Sequence, residues 1–316
     1  MPNIMLTNWC NYKCPYCFGM DFMAPKLPKK NMSKETFSDI IAWLLKTPKV
    51  NSIHLMGGEP TLHPDFEWFV EHLLANDYQI TVFSNLATEQ AQTYAGKLAD
   101  FPVAWVVNIN PPNTWNKVKQ ERILKSLKLL SRRATITFNV MPDADDNEWA
   151  IELIRTYHLN REIKVGFVLP TLSGTNYSLS DSEYADVASK VVDLAIKAER
   201  DNIRLEYECG VPTCTFTAEQ LGVLWDTGST FNSTCFSRLD ITPDGECIYC
   251  LPMATKSAVH YSTFNTYPEV KFWFEKKWQP YRRLGNTENC HSCNLMNPHM
   301  CHGGCLARML RNAKNV

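Results

Sequence analysis

Six segments in the first two-thirds of the chain are almost continuously apolar and rich in β-branched or aromatic residues. Such runs are typical of strands that are covered on both faces, as in a parallel sheet. The predicted strands cover residues 3–8, 52–56, 79–84, 103–110, 134–140 and 163–169.

Between these strands, apolar residues recur with the 3.6-residue period of an amphipathic helix. Ser33 stands at an N-cap position, Pro64 suits a first helical position, and Ser180 with Glu183 forms a candidate capping box. The predicted helices cover residues 33–46, 64–76, 88–98, 116–131, 146–158 and 180–198.

The alternation of strands and helices predicts βα units with right-handed crossovers around a parallel sheet. A complete eight-fold barrel typically needs about 250 residues, whereas this pattern fades near residue 200. The expected fold is therefore α/β: a partial (β/α)6 TIM-like barrel over residues 1–202. A smaller cysteine-rich α+β domain is expected over residues 203–316.

In the last third of the chain, helical periodicity gives way to short segments. The four residues TPDG at 242–245 separate two short apolar segments and predict a hairpin turn. A helix is expected over residues 268–283, with Pro280 as an early stop.

Composition and charge narrow the class of protein. The net charge is −1 and no long run of one sign occurs, so nothing favours a nucleic-acid partner or a membrane surface. Residues 1–9 lack the basic and apolar regions of a signal peptide, and no stretch approaches the roughly 18 apolar residues of a membrane span. The expected location is the cytoplasm.

The chain has twelve cysteines, three within the first 17 residues and nine after residue 208. Disulfides are rare in the cytosol, and clustered cysteines there are more often metal ligands. The N-terminal three are Cys10, Cys14 and Cys17, directly after the first predicted strand. Three thiolates can hold a cubane iron–sulfur cluster and leave one iron without a protein ligand.

The residues around these three cysteines resemble a known family. The CxxxCxxC spacing, with Tyr16 before the last cysteine, resembles the signature of the radical S-adenosylmethionine (SAM) enzymes. A second family motif, GGEP, ends the second strand at residues 57–60. The resemblance extends from residue 1 to about residue 200. Its site residues here are Cys10, Cys14, Cys17, Tyr16, Gly57, Gly58, Glu59 and Pro60.

The resemblance implies a [4Fe–4S] cluster on the three cysteines, with SAM chelating the open iron. GGEP would bind the methionine amino group of SAM. One-electron reduction would then cleave SAM to a 5′-deoxyadenosyl radical, which takes a hydrogen atom from the substrate. Further candidate SAM contacts at later strand ends are Ser84, Asn85, Asn108, Asn110 and Asn139, each of which is otherwise a strand-end cap or turn residue.

The later cysteines resemble the SPASM/twitch extension of the same family. Cys235, Gly245 and Cys250 fit its first half, and Cys290, Cys293, Cys301 and Cys305 fit its second. Two departures are seen: seven residues instead of five separate Cys293 from Cys301, and no cysteine follows Cys305.

One or two auxiliary [4Fe–4S] clusters are therefore expected. The first would use Cys235, Cys250 and Cys305, with Cys214 or Cys209 as the fourth ligand. The second would use Cys290, Cys293 and Cys301 and an unidentified fourth ligand, for which Cys247, His291, His299 and His302 are nearby in sequence. Zinc is the alternative, because the same spacing suits a tetrahedral Zn–S4 site.

The leading functional hypothesis is oxidative or crosslinking modification of a peptide or protein. Alternatives are a small-molecule dehydrogenase of the twitch type and a zinc-stabilised, non-catalytic binding protein. Expected partners are a one-electron reductant such as flavodoxin or ferredoxin and, since the barrel begins almost at Met1, a separate leader-binding protein. No further catalytic residue is singled out among Tyr16, Glu206, Glu208, Asp240 and Asp244.

Overall fold

The computed structural model describes residues 1–23, 27–47, 50–144, 146–207, 209–230, 232–296 and 300–313. In these residues the strands form one mixed sheet. They are β1 (Asn3–Thr7), β2 (Ser52–Gly57), β3 (Gln79–Ser84), β4 (Val103–Asn108), β5 (Ala134–Val140), β6 (Glu162–Phe167), β7 (Arg204–Tyr207), β8 (Asp240–Ile241), β9 (Glu246–Ile248) and β10 (Ala258–His260).

The helices follow the strands in alternation up to β7 and then accompany the last third. They are α1 (Lys34–Leu45), α2 (Phe66–Ala75), α3 (Glu89–Lys97), α4 (Lys117–Leu130), α5 (Trp149–Tyr157), α6 (Asp181–Glu199), α7 (Ala218–Asp226), α8 (Tyr267–Trp278) and α9 (Leu306–Ala313). None of these described helices combines the length and the apolar character needed to cross a membrane.

The sheet has the order β10-β9-β8-β1-β2-β3-β4-β5-β6-β7. Strands β1 to β7 run parallel, as the alternation predicts. At the other edge β8 also pairs parallel to β1, and β9 and β10 continue antiparallel. The predicted α/β class with a parallel, barrel-like sheet is confirmed.

Local sequence signals set most element ends. Ser33 caps α1 by accepting a hydrogen bond from the Thr36 amide at 3.0 Å, and Ser180 and Glu183 form the expected capping box at α6. Helix α2 begins at Phe66, two residues after Pro64, because residues 60–62 form a separate 3₁₀ turn. The predicted stop at Pro280 also holds: α8 ends at Trp278 and a 3₁₀ segment follows.

The core lies between the sheet and its helices. Its largest fully buried side chains include Trp105 of β4, Phe37 of α1, and Phe66 and Phe69 of α2. Burial of such aromatic and aliphatic side chains is the main term that holds the parallel sheet together. It also fixes the carboxyl ends of β1 to β6, where the loops of parallel folds carry chemistry.

The strand β7 was not predicted, although it continues the parallel sheet beyond the six expected units. It lies within residues 203–316, which the sequence assigns to the second domain. The hairpin at 242–245 is present, with Gly245 at φ +79° in its turn. Since β7 and β8 both extend the barrel's sheet, the domain boundary at residue 202 stays a prediction.

Candidate functional site

The loop that carries the first three cysteines leaves the carboxyl end of β1 beside the end of β2. The amide of Gly58 donates to Thr7 O and the amide of Glu59 donates to Trp9 O, each at 2.8 Å. A side chain at residue 58 would collide with the backbone of Trp9 and with Cys10 N, 2.8 Å away. Glycine at this position therefore lets GGEP lie directly against the start of the cysteine loop.

The three thiols of this loop are half-buried and close enough to affect one another electrostatically. Burial is the main cause that raises the pKa of Cys10 to about 12, and the charges of Glu59, Cys14 and Cys17 contribute. Burial likewise raises the pKa of Cys17, with Cys14 contributing. The amide of Cys17 donates to Cys14 O at 3.1 Å, which closes a turn between the two. Three neighbouring thiols of this kind fit an iron–sulfur cluster with one open iron.

The carboxylate of Glu59 is fully buried and bonds to groups of the protein. It accepts hydrogen bonds from the Thr61 hydroxyl at 2.6 Å, the Ser84 hydroxyl at 2.8 Å and the Asn85 amide at 2.8 Å. Burial raises its pKa, and these bonds oppose the rise. Glu59 thereby connects the end of β2 to the end of β3. Its contact with SAM stays a prediction.

The side chain of Asn85 connects β3 to the cysteine loop. Its Nδ2 donates to Asn11 Oδ1 at 2.9 Å and lies 4.0 Å from Cys10 Sγ. A cavity of about 350 Å³ opens next to this pair, which is the size of small ligand sites. Its lining includes Asn11, Ala87, Thr88, Glu89, Lys119 and Arg122.

Tyr16 is anchored on the other side of the loop. Its hydroxyl donates to Asn110 Oδ1, and a second cavity of about 180 Å³ next to this pair is lined by Cys14, Asn110 and Trp115 among others. Burial raises the pKa of Tyr16, with Cys14 adding to the effect. The phenol is therefore neutral, and it orients the loop through Asn110.

The other two predicted contacts lie apart from these. Asn108 is exposed at the end of β4. Asn139 packs its side chain against Gly166 of β6, where an added Cβ would collide with Asn139 Oδ1. The structure brings neither into a described contact with the cysteine loop, and their roles stay predictions.

Residues 171–177, after β6, close over the cysteine loop and were missed by the sequence analysis. Tyr177 N donates to Pro15 O at 2.9 Å, and Asn176 Nδ2 donates to Tyr16 O at 3.4 Å. Asp21 accepts hydrogen bonds from Ser173 and Thr175. The available signal was a polar, turn-rich stretch at the carboxyl end of a strand.

In the last third, one set of thiols gathers around Cys250. Burial raises the pKa of Cys250, and the charges of Cys235, Cys305, Asp240 and Cys209 raise it further. Gly210 packs against the backbone of Thr234 and Cys235, which places Cys209 beside Cys235. Of the two candidates for the fourth ligand, Cys209 is thus the one that lies with this set.

A half-buried arginine accompanies this set. Arg282 Nη2 donates to Cys235 O at 2.5 Å and to the Tyr249 hydroxyl. Its Nη1 is buried and has no hydrogen-bond partner among the described residues. A guanidinium donor beside thiolates suits an anionic group held at this place.

The remaining cysteines and histidines are placed as follows. Cys290 and Cys293 lie in and after a 3₁₀ segment, Glu288–Ser292, and Cys301 is buried nearby. Cys247 is fully buried in β9, which raises its pKa to about 12. His302 Nδ1 accepts a hydrogen bond from Cys235 N at 3.1 Å, and His299 lies outside the described residues.

The acidic candidates for a second catalytic residue have structural partners. Glu206 pairs with Lys164, and Asp244 pairs with Lys30. Asp240 is buried and accepts a hydrogen bond from Asn3 Nδ2 at 2.6 Å. Glu208 lies outside the described residues.

Zinc would require its donors about 2.0–2.3 Å from one ion. Across the described parts of the chain, no three Cys, His, Asp or Glu side chains are grouped closely enough to hold a single metal ion. The ligands of an iron–sulfur cluster bind different irons, and the choice between clusters and zinc stays a prediction.

Comparison with known proteins agrees with this geometry. The cyclopropyl synthase TigE of Paramaledivibacter caminithermalis is 24% identical over 99% of this chain and 69% of its own length. The GTP 3′,8-cyclase of Sulfurovum sp. is 25% identical over 78% of each chain.

Two solved structures share the fold. SuiB of Streptococcus suis has a TM-score of 0.68 at 15% identity and covers 97% of this chain and 72% of its own. The anSMEcpe structure with bound AdoMet has a TM-score of 0.66 at 17% identity and covers 96% and 88%. The family model for the radical SAM superfamily matches residues 4–169, more than half of the chain. The chain therefore belongs to the radical SAM superfamily.

Proposed function

We propose that this radical SAM enzyme modifies a peptide or protein by oxidation or crosslinking. The observation that carries the proposal is that similarity to TigE, named as a cyclopropyl synthase, extends over 99% of the chain and so includes the cysteine-rich third. SuiB, whose structure covers 97% of this chain, was also solved bound to the precursor peptide SuiA. A SPASM/twitch-type extension is part of the proposal.

The family uses a [4Fe–4S] cluster and SAM, and we assign the cluster to Cys10, Cys14 and Cys17. When bound, the cluster and SAM supply a one-electron cleavage of SAM, which yields a radical that abstracts hydrogen. The chain's own residues orient and enclose this site. Gly58 allows the close approach of GGEP, Glu59 fixes the strand ends, and Tyr16 holds the loop through Asn110.

The loop after β6 helps to exclude water from the site of the cysteine loop. Asn176 and Tyr177 bond to the backbone of the cysteine loop, and Leu172 N donates to Pro252 O at 3.0 Å, so this loop also contacts the last third. Closing an active site in this way limits side reactions of a reactive intermediate.

Cys209, Cys235, Cys250 and Cys305 would hold an auxiliary cluster, which would supply an electron acceptor for a net two-electron oxidation. An external reductant such as flavodoxin or ferredoxin would supply the first electron. Lys29 and Lys119 lie over Trp9 and Tyr12 near the cysteine loop, which favours an acidic reductant. We place the enzyme in the cytoplasm, where thiols stay reduced.

The test of the iron–sulfur assignment compares wild type with the Cys10/Cys14/Cys17→Ala variant after anaerobic reconstitution. Wild type should hold about eight or twelve iron atoms, and the variant should lose about four and no longer release 5′-deoxyadenosine from SAM. Stoichiometric zinc without SAM cleavage in wild type would refute the enzyme assignment.

The test of the substrate class is a mass measurement. Peptides encoded near the gene are incubated with the reduced enzyme and SAM, and a loss of two hydrogens is expected in one of them. SAM cleavage with no mass change in any peptide would contradict peptide modification.

The second candidate is a small-molecule dehydrogenase. It is favoured by the GTP 3′,8-cyclase relative, whose name gives a nucleotide substrate and which matches 78% of this chain. It predicts that oxidised small molecules, and no modified peptide, accompany SAM cleavage.

A further inference from the structure

We propose that Cys214 is the fourth ligand of a second auxiliary cluster, together with Cys290, Cys293 and Cys301. The inference rests on the proposed iron–sulfur function and assigns the ligand that the sequence left open.

The turn that carries Cys214 is placed by a contact of Pro212 with Gly304. Cys214 lies in a 3₁₀ turn, Thr213–Thr215, directly after Pro212. The ring of Pro212 packs on Gly304, where an added Cβ would lie 2.8 Å from Pro212 Cγ. The same Cβ would collide with Asn286 Nδ2, so Gly304 lies against both Pro212 and Asn286.

Gly285 and Gly303 lie against each other, which brings the neighbourhoods of Cys290 and Cys301 together. A Cβ built at Gly303 would lie 3.0 Å from Gly285 Cα, and both glycines have positive φ, at +71° and +65°. Cys290 packs directly on Gly285. At the other end, Cys301 Sγ accepts a hydrogen bond from Gly303 N at 3.3 Å.

Cys293 is linked to Cys301 through Met296. Met296 N donates to Cys293 O at 3.1 Å, and Met296 forms a β-bridge with Cys301. These backbone contacts bring the three cysteines to the part of the chain on which Pro212, directly before the turn at 213–215, packs.

The electrostatics of Cys214 agree with this geometry. Burial raises its pKa, and the neighbouring thiols that add to the rise are Cys290, Cys301 and Cys293. Cys209, by contrast, acts on Cys250. Two cysteines only five positions apart thus face two different sets of thiols.

Two of the other candidates, Cys247 and His302, are less suitable. Cys247 is fully buried in β9, and His302 is bonded to the backbone of Cys235. Four cysteine ligands would occupy every iron of a cubane cluster and leave none open to a substrate. The inferred cluster is therefore closed, and suits electron transfer or support of the fold rather than substrate binding.

The experiment uses the Cys10/Cys14/Cys17→Ala protein, which removes the SAM-binding cluster from the iron count. This protein should hold about eight iron atoms after anaerobic reconstitution. Adding Cys214→Ala should lower the count to about four, or leave a three-iron cluster visible by electron paramagnetic resonance. Cys290→Ala should do the same, and the Cys214→Ala/Cys290→Ala pair should lose no more than either alone.

Cys209→Ala is the matched control, because it should remove the other cluster. Combined with Cys214→Ala, it should leave almost no iron. If Cys214→Ala leaves the count at eight, or if Cys214→Ala and Cys290→Ala each remove a separate cluster, the inference is wrong. Wild type that lacks iron and does not cleave SAM would instead overturn the proposed function, so the two failures are distinguishable.

Discussion

At the residue scale, Glu59 illustrates how a motif residue can act through the strand ends. Its carboxylate is the common acceptor for Thr61, Ser84 and Asn85. Buried donors that lose their acceptor cost about 1–3 kcal/mol each. Glu59→Ala should therefore destabilise the protein by several kcal/mol, and thermal unfolding of the reconstituted enzyme measures this.

Ser84→Ala is the control for Glu59, because it removes one donor and leaves the carboxylate bonded to the other two. Its melting temperature should fall much less. A Glu59→Ala protein that melts like wild type but no longer binds SAM would show that Glu59 acts on SAM directly instead.

Arg282 supports a second prediction at this scale. Its buried guanidinium lies beside Cys235, and a positive charge stabilises the reduced, more negative form of a cluster. In the Cys10/Cys14/Cys17→Ala background, Arg282→Gln should shift the midpoint potential of one auxiliary cluster to more negative values. Redox titration followed by electron paramagnetic resonance measures the shift.

Arg283 provides the matched control for Arg282, since it is the adjacent residue and is exposed. Arg283→Gln should leave both auxiliary potentials unchanged, and Arg282→Lys should shift the potential less than Arg282→Gln. Equal potentials in the Arg282→Gln and Arg283→Gln proteins would contradict the role of the charge.

The same scale shows what the sequence could predict about the site. The cysteine triad and GGEP were found because each is a short motif after a clear strand. Cys209 and Cys214 could not be assigned, because they are close in sequence and the fold of residues 209–216 separates them. That separation depends on contacts with residues 234 and 304, which are distant in sequence.

At the element scale, long apolar strands and periodic helices were predicted within a few residues. The strand β7 was not, because four residues of mixed polarity carry too little pattern. The hairpin that contains β8 was predicted, but its pairing with β1 was not. The place of both strands is set by pairing partners. Asn3 helps to set β8, since its side chain donates to Asp240 and its Oδ1 bonds His54 Nδ1 of β2 at 2.9 Å.

The pairing of β8 makes stability depend on pH. Burial raises the pKa of Asp240 to about 6, so the folded protein binds this proton more tightly than the unfolded chain between about pH 4 and 6. The contribution of Asp240 to stability therefore falls as the pH rises through this window. His54 acts oppositely: burial lowers its pKa to about 4, and its contribution falls as the pH drops from about 6.5 to 4.

Asp240→Asn isolates the carboxyl and keeps an acceptor for Asn3. The free energy of unfolding of the variant minus that of wild type should be about 1 kcal/mol larger at pH 8 than at pH 5.5. Denaturant unfolding at the two pH values measures this. Asp244→Asn is the control: Asp244 lies on the same hairpin but in an exposed pair with Lys30, so its replacement should change stability little at either pH. If the stability difference between Asp240→Asn and wild type is the same at both pH values, Asp240 is not the source of the pH dependence.

At the scale of the whole molecule, the two ends of the chain differ in what holds them together. The barrel part has a large buried core around Trp105 and the helices that cover the sheet. Residues 287–295, by contrast, are largely exposed and contain only a 3₁₀ segment. A segment with few buried apolar side chains depends on its ligands for stability, as small metal-binding domains do.

Iron removal should therefore loosen this segment before the barrel. Trypsin should cut anaerobically chelated protein after Arg283, which is exposed and lies shortly before the segment, and should spare this bond in the reconstituted enzyme. Mass spectrometry of the fragments measures the site. Reconstituted Cys290→Ser protein should be cut like the chelated wild type, because it lacks one ligand while the first auxiliary set is intact. Equal cleavage after Arg283 with and without iron would show that packing alone, rather than cluster binding, holds this part of the chain.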